Sequence, residues 1–246
     1  MTGAQAARTR LCEAGAVTSR LDIAGLTTRI VGPPDAPTTV VLLHGFGAPG
    51  DDLVALANYF DAPARYVFPA APLELGGLYG DSRAWWLLDL AKLEQELRSG
   101  VPRDRSGEIP EGLPNARAHL LRFLDQLQAR YQIPDDKLVV GGFSQGAMLA
   151  LDVALHRRTP PAALVLMSTT WVAAKDWEPR FGSLAGVPIM MSHGRNDMLL
   201  PFAVSDALRD RLRTAGANVE WHQFVGGHEI PPAVLDAVGA FLRASR

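Results

Sequence analysis

Cysteine is almost absent from this chain, since Cys12 is the only one among 246 residues. A single cysteine excludes an internal disulfide and a metal site built from several cysteines. No apolar run approaches the ~18–20 residues of a transmembrane helix, and residues 1–20 lack the hydrophobic segment of a signal peptide. The formal net charge is only −2, with lysine and arginine spread along the chain, which argues against a nucleic-acid partner.

What is present is an ordinary globular composition. Hydrophobic residues make up 48% and charged residues 20% of the chain, and 246 residues suffice for one sizeable core. We therefore expect a single domain over residues 1–246, located in the cytoplasm and without stable membrane insertion. The composition does not decide the oligomeric state, and a homodimer is compatible with it.

Strand-like and helix-like segments alternate along most of the chain. Short β-branched or leucine-rich runs predict strands at 21–31 (as an edge strand or a hairpin), 38–45, 65–72, 137–142, 162–169, 187–194 and 218–225. Helical spacing and helix-start signals predict helices at 52–60, 84–97, 115–131, 144–158, 202–216 and 231–245. This alternation predicts an α/β fold with a mostly parallel central sheet and helices on both faces.

Two stretches do not follow the alternation. Residues 1–19 have no clear periodicity, and we expect them to be loosely ordered. Residues 70–114 contain several prolines, many glycines and a charged segment, with the candidate helix at 84–97 inside them. Long segments without regular elements are often functional loops. We therefore predict that residues 70–114 form a lid or substrate loop inserted into the fold.

The segment Gly142-Phe143-Ser144-Gln145-Gly146 fits the pattern G-x-S-x-G. It lies between a predicted strand and a predicted helix, which is the setting of a nucleophile elbow. Such a turn is so tight that the residues two before and two after the serine must be small. The turn lifts the hydroxyl above the carboxyl edge of the sheet, beside a helix N-terminus that stabilises a developing oxyanion. Ser144 is therefore the predicted nucleophile.

A serine hydroxyl is a weak nucleophile and needs a base that is itself oriented by a carboxylate. In this architecture the order along the chain is serine, acid, histidine. Asp197 follows one predicted strand and His228 follows the last one, so both are expected at the edge of the sheet where Ser144 lies. Four weaker alternatives lie in positions that favour structural roles: Asp176, Asp206, His193 and His222.

An acyl-transfer site also needs donors for the oxyanion, normally two backbone N–H groups. One is expected from Gln145, the residue after the nucleophile. The other is expected from the glycine-rich loop after the strand VVLLHG, where Phe46 is the candidate. His44 precedes this loop, and we expect it to brace the loop by hydrogen bonding rather than to transfer protons.

These motifs together resemble the phospholipase/carboxylesterase family of α/β-hydrolases, which includes bacterial carboxylesterases and acyl-protein thioesterases. The matching stretches are VVLLHGFGAPGDD, GGFSQGAM, PIMMSHGRNDMLLPF and VGGHEIPP, in the family's order. The resemblance runs from about residue 38 to the C-terminus. It implies Ser144 as nucleophile, His228 as base, Asp197 as its partner and Phe46 and Gln145 as oxyanion donors, with no metal or cofactor. The sequence departs from the family in the length and charge of residues 70–114 and in Met-Leu-Leu after Asp197.

The predicted substrate pocket is apolar. Residues expected to bind substrate are Trp85, Trp86, Leu73, Met198 and Leu199, with Leu75, Leu87 and Leu200 as further candidates and Trp171 and Trp177 as an opposite wall. An apolar cleft favours an acyl chain or aryl ester over a charged substrate. We expect a serine carboxylic-ester hydrolase acting on small or acyl esters, including thioesters and lysophospholipids. The alternatives are a ligand-binding or receptor protein without turnover, and a perhydrolase or acyltransferase.

Overall fold

The computed structural model describes residues 19–76, 80–100 and 103–245. The prediction that residues 1–19 are loosely ordered concerns a stretch that lies outside the described residues except for Ser19, and Cys12 lies outside them as well.

The described strands are β1 (Ser19–Ile23), β2 (Leu26–Val31), β3 (Thr39–Leu43), β4 (Arg65–Pro69), β5 (Leu73–Glu74), β6 (Arg83–Ala84), β7 (Leu138–Phe143), β8 (Ala163–Met167), β9 (Pro188–Gly194) and β10 (Asn218–Phe224). Eight of them form one sheet in the order β1-β2-β4-β3-β7-β8-β9-β10, and β5 pairs with β6 in a separate two-stranded sheet. The pairs β1–β2 and β2–β4 are antiparallel, and the pairs from β4 through β10 are parallel. The predicted mostly parallel sheet is therefore confirmed.

The hairpin reading of residues 21–31 is also confirmed. β1 and β2 pair antiparallel from Ser19↔Ile30 to Ile23↔Leu26. The two residues between them, Ala24 and Gly25, both have positive φ, at 53° and 80°. That combination matches the right-handed twist of the flanking strands in a two-residue turn. β1 lies at the edge of the sheet.

The helices of the described residues are α1 (Leu90–Ser99), α2 (Leu113–Tyr131), α3 (Gln145–His156), α4 (Ala174–Trp177), α5 (Phe202–Thr214) and α6 (Pro232–Ala244). Within the described residues, three 3-10 helices occupy Val54–Asn58, Asp135–Lys137 and Glu178–Leu184. The helix predicted at 52–60 is thus a single 3-10 segment. The helix predicted at 84–97 begins only at Leu90, because the backbone groups of Trp85 and Trp86 bond to the side chain of Gln145 instead of to a helical turn.

The sheet separates two hydrophobic clusters, as expected for helices on both faces. Alternate residues of β3 belong to different clusters, with Val41 and Leu43 in one and Val40 and Leu42 in the other. Successive side chains of a strand point to opposite faces, so the clusters lie on opposite sides of the sheet. α2, α3 and α5 contribute to the first cluster, whereas α6 and Phe60 contribute to the second.

The parallel strands determine where functional residues meet. Phe46 follows β3, Ser144 follows β7, Asp197 follows β9 and His228 follows β10. Because β3, β7, β8, β9 and β10 run in the same direction, their carboxyl ends share one edge of the sheet. Crevices at this edge are the usual ligand sites of open α/β sheets.

Candidate active site

Ser144 occupies a strained turn between β7 and α3. Its φ and ψ are 55° and −118°, a conformation that a non-glycine residue adopts only when the surrounding structure enforces it. The Ser144 N–H donates to the carbonyl of Met167 at 2.9 Å. A Cβ atom on Gly142 or on Gly146 would lie 2.4 Å or 2.1 Å from the carbonyl oxygen of Leu43. The tight approach of β3 therefore requires glycine on both sides of the serine, as the sequence predicts.

The loops after β9 and β10 are hydrogen bonded to each other. The N–H of Arg195 donates to the carbonyl of Phe224, and the N–H of Asn196 donates to the carbonyl of Gly226, each at 2.9 Å. These bonds bring Asp197 beside His228, whose Nδ1 lies 2.7 Å from Oδ2 of the carboxylate. A neutral His228 that donates from Nδ1 to a carboxylate has Nε2 left as a proton acceptor.

The Asp197 carboxylate is buried and fully hydrogen bonded. Its Oδ1 accepts the N–H groups of Leu199 and Leu200, each at 2.9 Å. Burial by itself would raise the pKa of Asp197, but the hydrogen bond and charge of His228, with the Leu200 N–H, outweigh it and hold the pKa below its ordinary value. The carboxylate is therefore ionised at neutral pH and able to stabilise an imidazolium.

A second histidine approaches the same carboxylate from inside the protein. Nε2 of His193 lies 3.4 Å from Oδ2 of Asp197 and 2.9 Å from the carbonyl oxygen of Leu200. Burial lowers the pKa of His193 despite this carbonyl and carboxylate. A buried neutral ring that contacts the loop of Asp197 has a structural role.

His228 and Ser144 line the same cavity, together with Phe46 and Gln145. The imidazole of His228 also contacts the ring of Phe143, the residue before the serine, with ring centroids 4.8 Å apart. The side chain of His228 is 14% exposed, whereas that of Asp197 is fully buried. A base at the cavity wall with its acid partner behind it is the arrangement that proton transfer to and from a bound substrate requires.

The predicted oxyanion donors border this cavity. In the part of the chain that the structure describes, the N–H groups of Phe46 and Gln145 donate to no protein acceptor. Gln145 is the first residue of α3, so its N–H points out of the helix N-terminus. His44 braces the loop as expected, since Nδ1 lies 2.8 Å from the carbonyl oxygen of Gly45 and Nε2 accepts the N–H of Ala71 at 3.0 Å.

The cavity has a volume of about 470 Å³ and an apolar interior. Its buried lining residues include Trp86, Met148 and Val172. Its exposed apolar lining residues are Leu87 (66% exposed), Ile109 (55%) and Leu199 (39%), which therefore lie at the mouth. The charged lining residues are Asp52, Asp89, Lys92, Arg105, Glu108 and Glu111. Lys92 and Glu108 form an ion pair at 4.0 Å.

Some of the predicted pocket residues line this cavity and some do not. Trp86, Leu87, Leu199 and Leu200 do. Those placed elsewhere are Trp85, Leu73, Leu75, Met198, Trp171 and Trp177.

Contacts elsewhere in the fold account for these placements. Leu75 directly follows β5, and its N–H donates to the carbonyl of Ser82 at 2.9 Å. The indole of Trp85 is turned under the loop of His44, to whose carbonyl it donates at 3.0 Å. Leu73 belongs to the small sheet β5–β6, and Met198 projects into solvent with 51% exposure. Trp177 is fully buried and donates to Asp152, whereas Trp171 packs on Phe181.

The sequence analysis did not single out residues 103–112 as wall residues, although it predicted a lid or substrate loop over the whole 70–114 stretch. Arg105, Glu108, Ile109 and Pro110 all line the cavity. Two backbone bonds attach this loop to the segment before α4: Ala173 N–H donates to Glu108 at 2.8 Å, and Ala174 N–H donates to Ser106 at 2.7 Å. No local sequence pattern indicates these long-range bonds.

The remaining alternatives lie away from the cavity. Asp206 pairs with Arg209 on α5, and His222 lies 2.6 Å from Glu220 within β10. Asp176 belongs to a cluster with Asp152 and His156. One carboxylate oxygen of each aspartate and one ring nitrogen of the histidine all lie within 4.8 Å of one another. Arg117 already pairs with both carboxylates, at 2.6 Å to Asp152 and 2.8 Å to Asp176. This cluster is therefore an ion-pair network that is fully buried at Asp152 and partly exposed at Asp176.

An open parallel sheet with a strained serine elbow and an Asp–His pair at its carboxyl edge defines an α/β-hydrolase. A family model described as Phospholipase/Carboxylesterase matches residues 27–246, and the chain belongs to that family. It is a serine hydrolase, and the resemblance stated from the motifs is confirmed.

Named relatives span nearly the whole chain. A probable carboxylesterase of Oryza sativa subsp. japonica is 28% identical over 89% of this chain and 84% of its own length. An acyl-protein thioesterase 1 of Eremothecium gossypii is 29% identical over 83% of this chain and 86% of its own. Among solved structures, esterase PE8 is 30% identical with a TM-score of 0.77, covering 90% of this chain and 99% of that one.

No helix within residues 19–76, 80–100 and 103–245 is both long enough and apolar enough to cross a membrane.

Proposed function

We propose that this protein hydrolyses carboxylic esters of acyl or aryl type, with Ser144 as nucleophile, His228 as general base and acid, and Asp197 as its orienting carboxylate. The observation that carries this proposal is the 2.7 Å contact between His228 Nδ1 and Asp197 Oδ2, at a cavity that also contains the strained Ser144. The same hydroxyl, imidazole and carboxylate act together on several unrelated folds.

The reaction proceeds in two halves. His228 Nε2 takes the proton of Ser144 as the hydroxyl oxygen attacks the ester carbonyl, and the imidazolium is stabilised by Asp197. The backbone N–H groups of Phe46 and Gln145 bind the oxyanion of the tetrahedral intermediate. His228 then protonates the leaving alcohol or thiol, which leaves an acyl group on Ser144. Water, deprotonated by His228, attacks the acyl-enzyme and releases the acid and the free serine.

The cavity supports an apolar substrate part of moderate length. Trp86, Met148 and Val172 offer apolar surface in its interior, next to Ser144. Burial of methylene groups against such surface stabilises binding by about 0.8 kcal/mol each. Two of the relatives named above are a carboxylesterase and an acyl-protein thioesterase, so both oxygen esters and thioesters belong in the test.

The primary test is Ser144→Ala with p-nitrophenyl butyrate as substrate. We expect turnover to vanish while circular dichroism and the melting temperature remain those of a folded protein. The matched control is Ser183→Ala, because Ser183 is exposed in the 3-10 helix Glu178–Leu184, and this variant should retain full activity. Retained turnover in Ser144→Ala would refute the nucleophile assignment.

Two further measurements separate the remaining alternatives. A fluorophosphonate probe should label the wild type and not Ser144→Ala, and a protein that only binds ligands would show no labelling. Product analysis in the presence of hydrogen peroxide or an alcohol should show mainly the free acid. A dominant peracid or transferred ester would instead identify a perhydrolase or an acyltransferase.

A further inference from the structure

The loop that carries the proposed oxyanion donor Phe46 has little internal support. It runs from His44 to Gly50 and includes three glycines, at positions 45, 47 and 50. Its bond between Ala48 N–H and the carbonyl of Gly45 is long, at 3.4 Å. Glycine gives the main chain more freedom than any other residue. Oxyanion stabilisation depends on donors that are already in place when charge develops, so this loop requires support from outside.

Part of that support comes from the backbone of β6. The N–H of Gly47 donates to the carbonyl of Arg83 at 2.9 Å, and the N–H of Arg83 donates to the carbonyl of Ala48 at 3.0 Å. Arg83 thus makes a reciprocal pair of bonds with the residues directly after Phe46. A further bridge pairs Pro49 with Ser82 in antiparallel fashion.

Trp85 connects the same segment to both proposed donors. Its indole N–H donates to the carbonyl of His44 at 3.0 Å, two residues before Phe46. Its backbone N–H donates to Oε1 of Gln145 at 2.9 Å, and Nε2 of Gln145 donates to the carbonyl of Trp86 at 2.9 Å. All three side chains are buried, with Trp85, Trp86 and Gln145 at most 3% exposed. Buried hydrogen bonds of this kind hold a fixed geometry because breaking them leaves unpaired polar groups.

His44 closes the network on its other side. Nε2 of the imidazole accepts the N–H of Ala71, so Nδ1 carries the proton and donates to the carbonyl of Gly45. The ring of His44 packs on that of Trp85, with centroids 5.6 Å apart. Burial lowers the pKa of His44, which keeps the ring in the neutral form that these two bonds need.

We propose that Trp85 and the side chain of Gln145 are positioning residues for the oxyanion hole, and that they set the distance between the N–H groups of Phe46 and Gln145. This inference rests on the proposed function. The indole bond holds the loop before Phe46, and the carboxamide of Gln145 ties that same tryptophan to the elbow. The carboxamide of Gln145 bonds to the backbone of Trp85 and Trp86, and the indole of Trp85 bonds to the carbonyl of His44, so each side chain acts through the backbone donors.

The test replaces the indole donor and keeps an aromatic ring. Trp85→Phe should lower kcat for p-nitrophenyl butyrate about tenfold to a hundredfold, because a displaced donor loses much of the effect of a well-placed one. KM should stay within about twofold, since the oxyanion bonds strengthen mainly in the transition state. The inhibition constant of a short-chain trifluoromethyl ketone, which forms a hemiketal oxyanion on serine, should weaken in parallel with kcat/KM.

Trp171→Phe is the matched control. Trp171 is also buried, but its indole N–H has no hydrogen-bond partner within the described residues, and it does not line the cavity. We expect this variant to keep kcat and the affinity for the trifluoromethyl ketone. The inference is wrong if Trp85→Phe behaves like Trp171→Phe, or if Trp85→Phe raises only KM.

Gln145→Met provides a second, independent variant. It removes both carboxamide bonds but retains the backbone N–H that is proposed to bind the oxyanion. We expect the same loss of kcat and of trifluoromethyl ketone affinity, with melting temperatures measured for every variant. Fluorophosphonate labelling of the wild type distinguishes failure of the proposed function from failure of this inference. No labelling means that the proposed function has failed, whereas labelling with unchanged kcat in Trp85→Phe and Gln145→Met overturns this inference alone.

Discussion

Nδ1 of His228 lies 2.7 Å from Oδ2 of Asp197, and the other carboxylate oxygen accepts two backbone hydrogen bonds. The pair forms because β9 and β10 are adjacent and parallel, so the loops after them leave the sheet at the same edge. The carboxylate cannot turn away from the imidazole without giving up the N–H groups of Leu199 and Leu200. His228 is therefore oriented by a carboxylate that is itself fixed by its own loop.

Replacement of this carboxylate by an amide tests the orientation directly. Asp197→Asn keeps the size of the side chain but offers His228 either an N–H group or a neutral oxygen. In a serine protease the equivalent change lowers kcat about 10⁴-fold, because the imidazole adopts the wrong tautomer. We expect a loss of similar size in kcat for p-nitrophenyl butyrate, with a folded protein by circular dichroism.

Asp206→Asn is the control for this change. Asp206 is one of the two weaker acid alternatives from the sequence, and its carboxylate pairs with Arg209 on α5. The variant should retain wild-type kcat. A loss of less than about tenfold in Asp197→Asn would contradict the assignment of Asp197 as the partner of His228.

The lowered pKa of Asp197 also predicts how stability depends on pH. Burial by itself would raise this pKa, and the interactions with His228 and the Leu200 N–H lower it further than burial raises it. Folding therefore favours the ionised form, and the stabilisation is present above the ordinary aspartate pKa of about 3.9. It is lost as the pH falls through the lower value of the folded state.

Urea unfolding of wild type and Asp197→Asn measures this effect. The difference in their free energies of unfolding should not shrink between pH 7 and about 5, and it should shrink as the pH falls below about 4. A difference that stays constant down to pH 3 would show that the carboxyl group of Asp197 has no lowered pKa in the folded protein.

The features predicted well from sequence are those that leave a recognisable pattern in adjacent residues, even where the contact that requires the pattern comes from another strand. Two glycines flank Ser144 because the carbonyl of Leu43 leaves no room for a Cβ atom at either position. The glycines at these two positions therefore indicate the elbow directly, and the short β-branched runs predict the parallel strands around it. The sequence indicates the hairpin of β1 and β2 because Ala24-Gly25 lies between two segments in which more and less buried residues alternate.

The features that failed depend on contacts from distant parts of the chain that leave no pattern in the neighbouring residues. The segment 84–97 is predicted to be one helix. The side chain of Gln145, 60 residues away from Trp85, accepts the backbone N–H of Trp85 instead, and the helix begins only at Leu90. Met198 and Leu199 have the same apolar character. Their placement depends on the turn in which Asp197 Oδ1 accepts the N–H of Leu199. In this turn Leu199 lines the cavity, whereas Met198 faces solvent.

The buried cluster around Asp152 predicts a large effect on stability with none on chemistry. Asp152 is fully buried and receives bonds from Arg117 at 2.6 Å and 2.8 Å and from the indole of Trp177 at 2.7 Å. Arg117→Met leaves a buried carboxylate without its cation, and we expect the free energy of unfolding to fall by about 3–5 kcal/mol. The kcat of the folded fraction should be unchanged.

Arg180→Met is the comparison for that network. Arg180 contacts Asp176 of the same cluster at 3.3 Å, but its side chain is half exposed. Exposed ion pairs contribute about 0–1 kcal/mol, so this variant should differ little from wild type in urea unfolding. Equal losses in both variants would mean that burial of Asp152 is not what makes Arg117 important.

The neighbours Met198 and Leu199 offer the sharpest test of where substrate binds. Both are apolar and largely exposed, yet only Leu199 lines the cavity. Leu199→Ala should lower kcat/KM for p-nitrophenyl octanoate about fivefold, which corresponds to about 1 kcal/mol of lost apolar contact. The acetate ester is too short to depend on the mouth of the cavity, so its kcat/KM should hardly change.

Met198→Ala is the control and should affect neither ester, because the side chain of Met198 contributes no surface to the cavity. An equal loss on acetate and octanoate in Leu199→Ala would point instead to a disturbed turn at Asp197, whose carboxylate binds the N–H of Leu199.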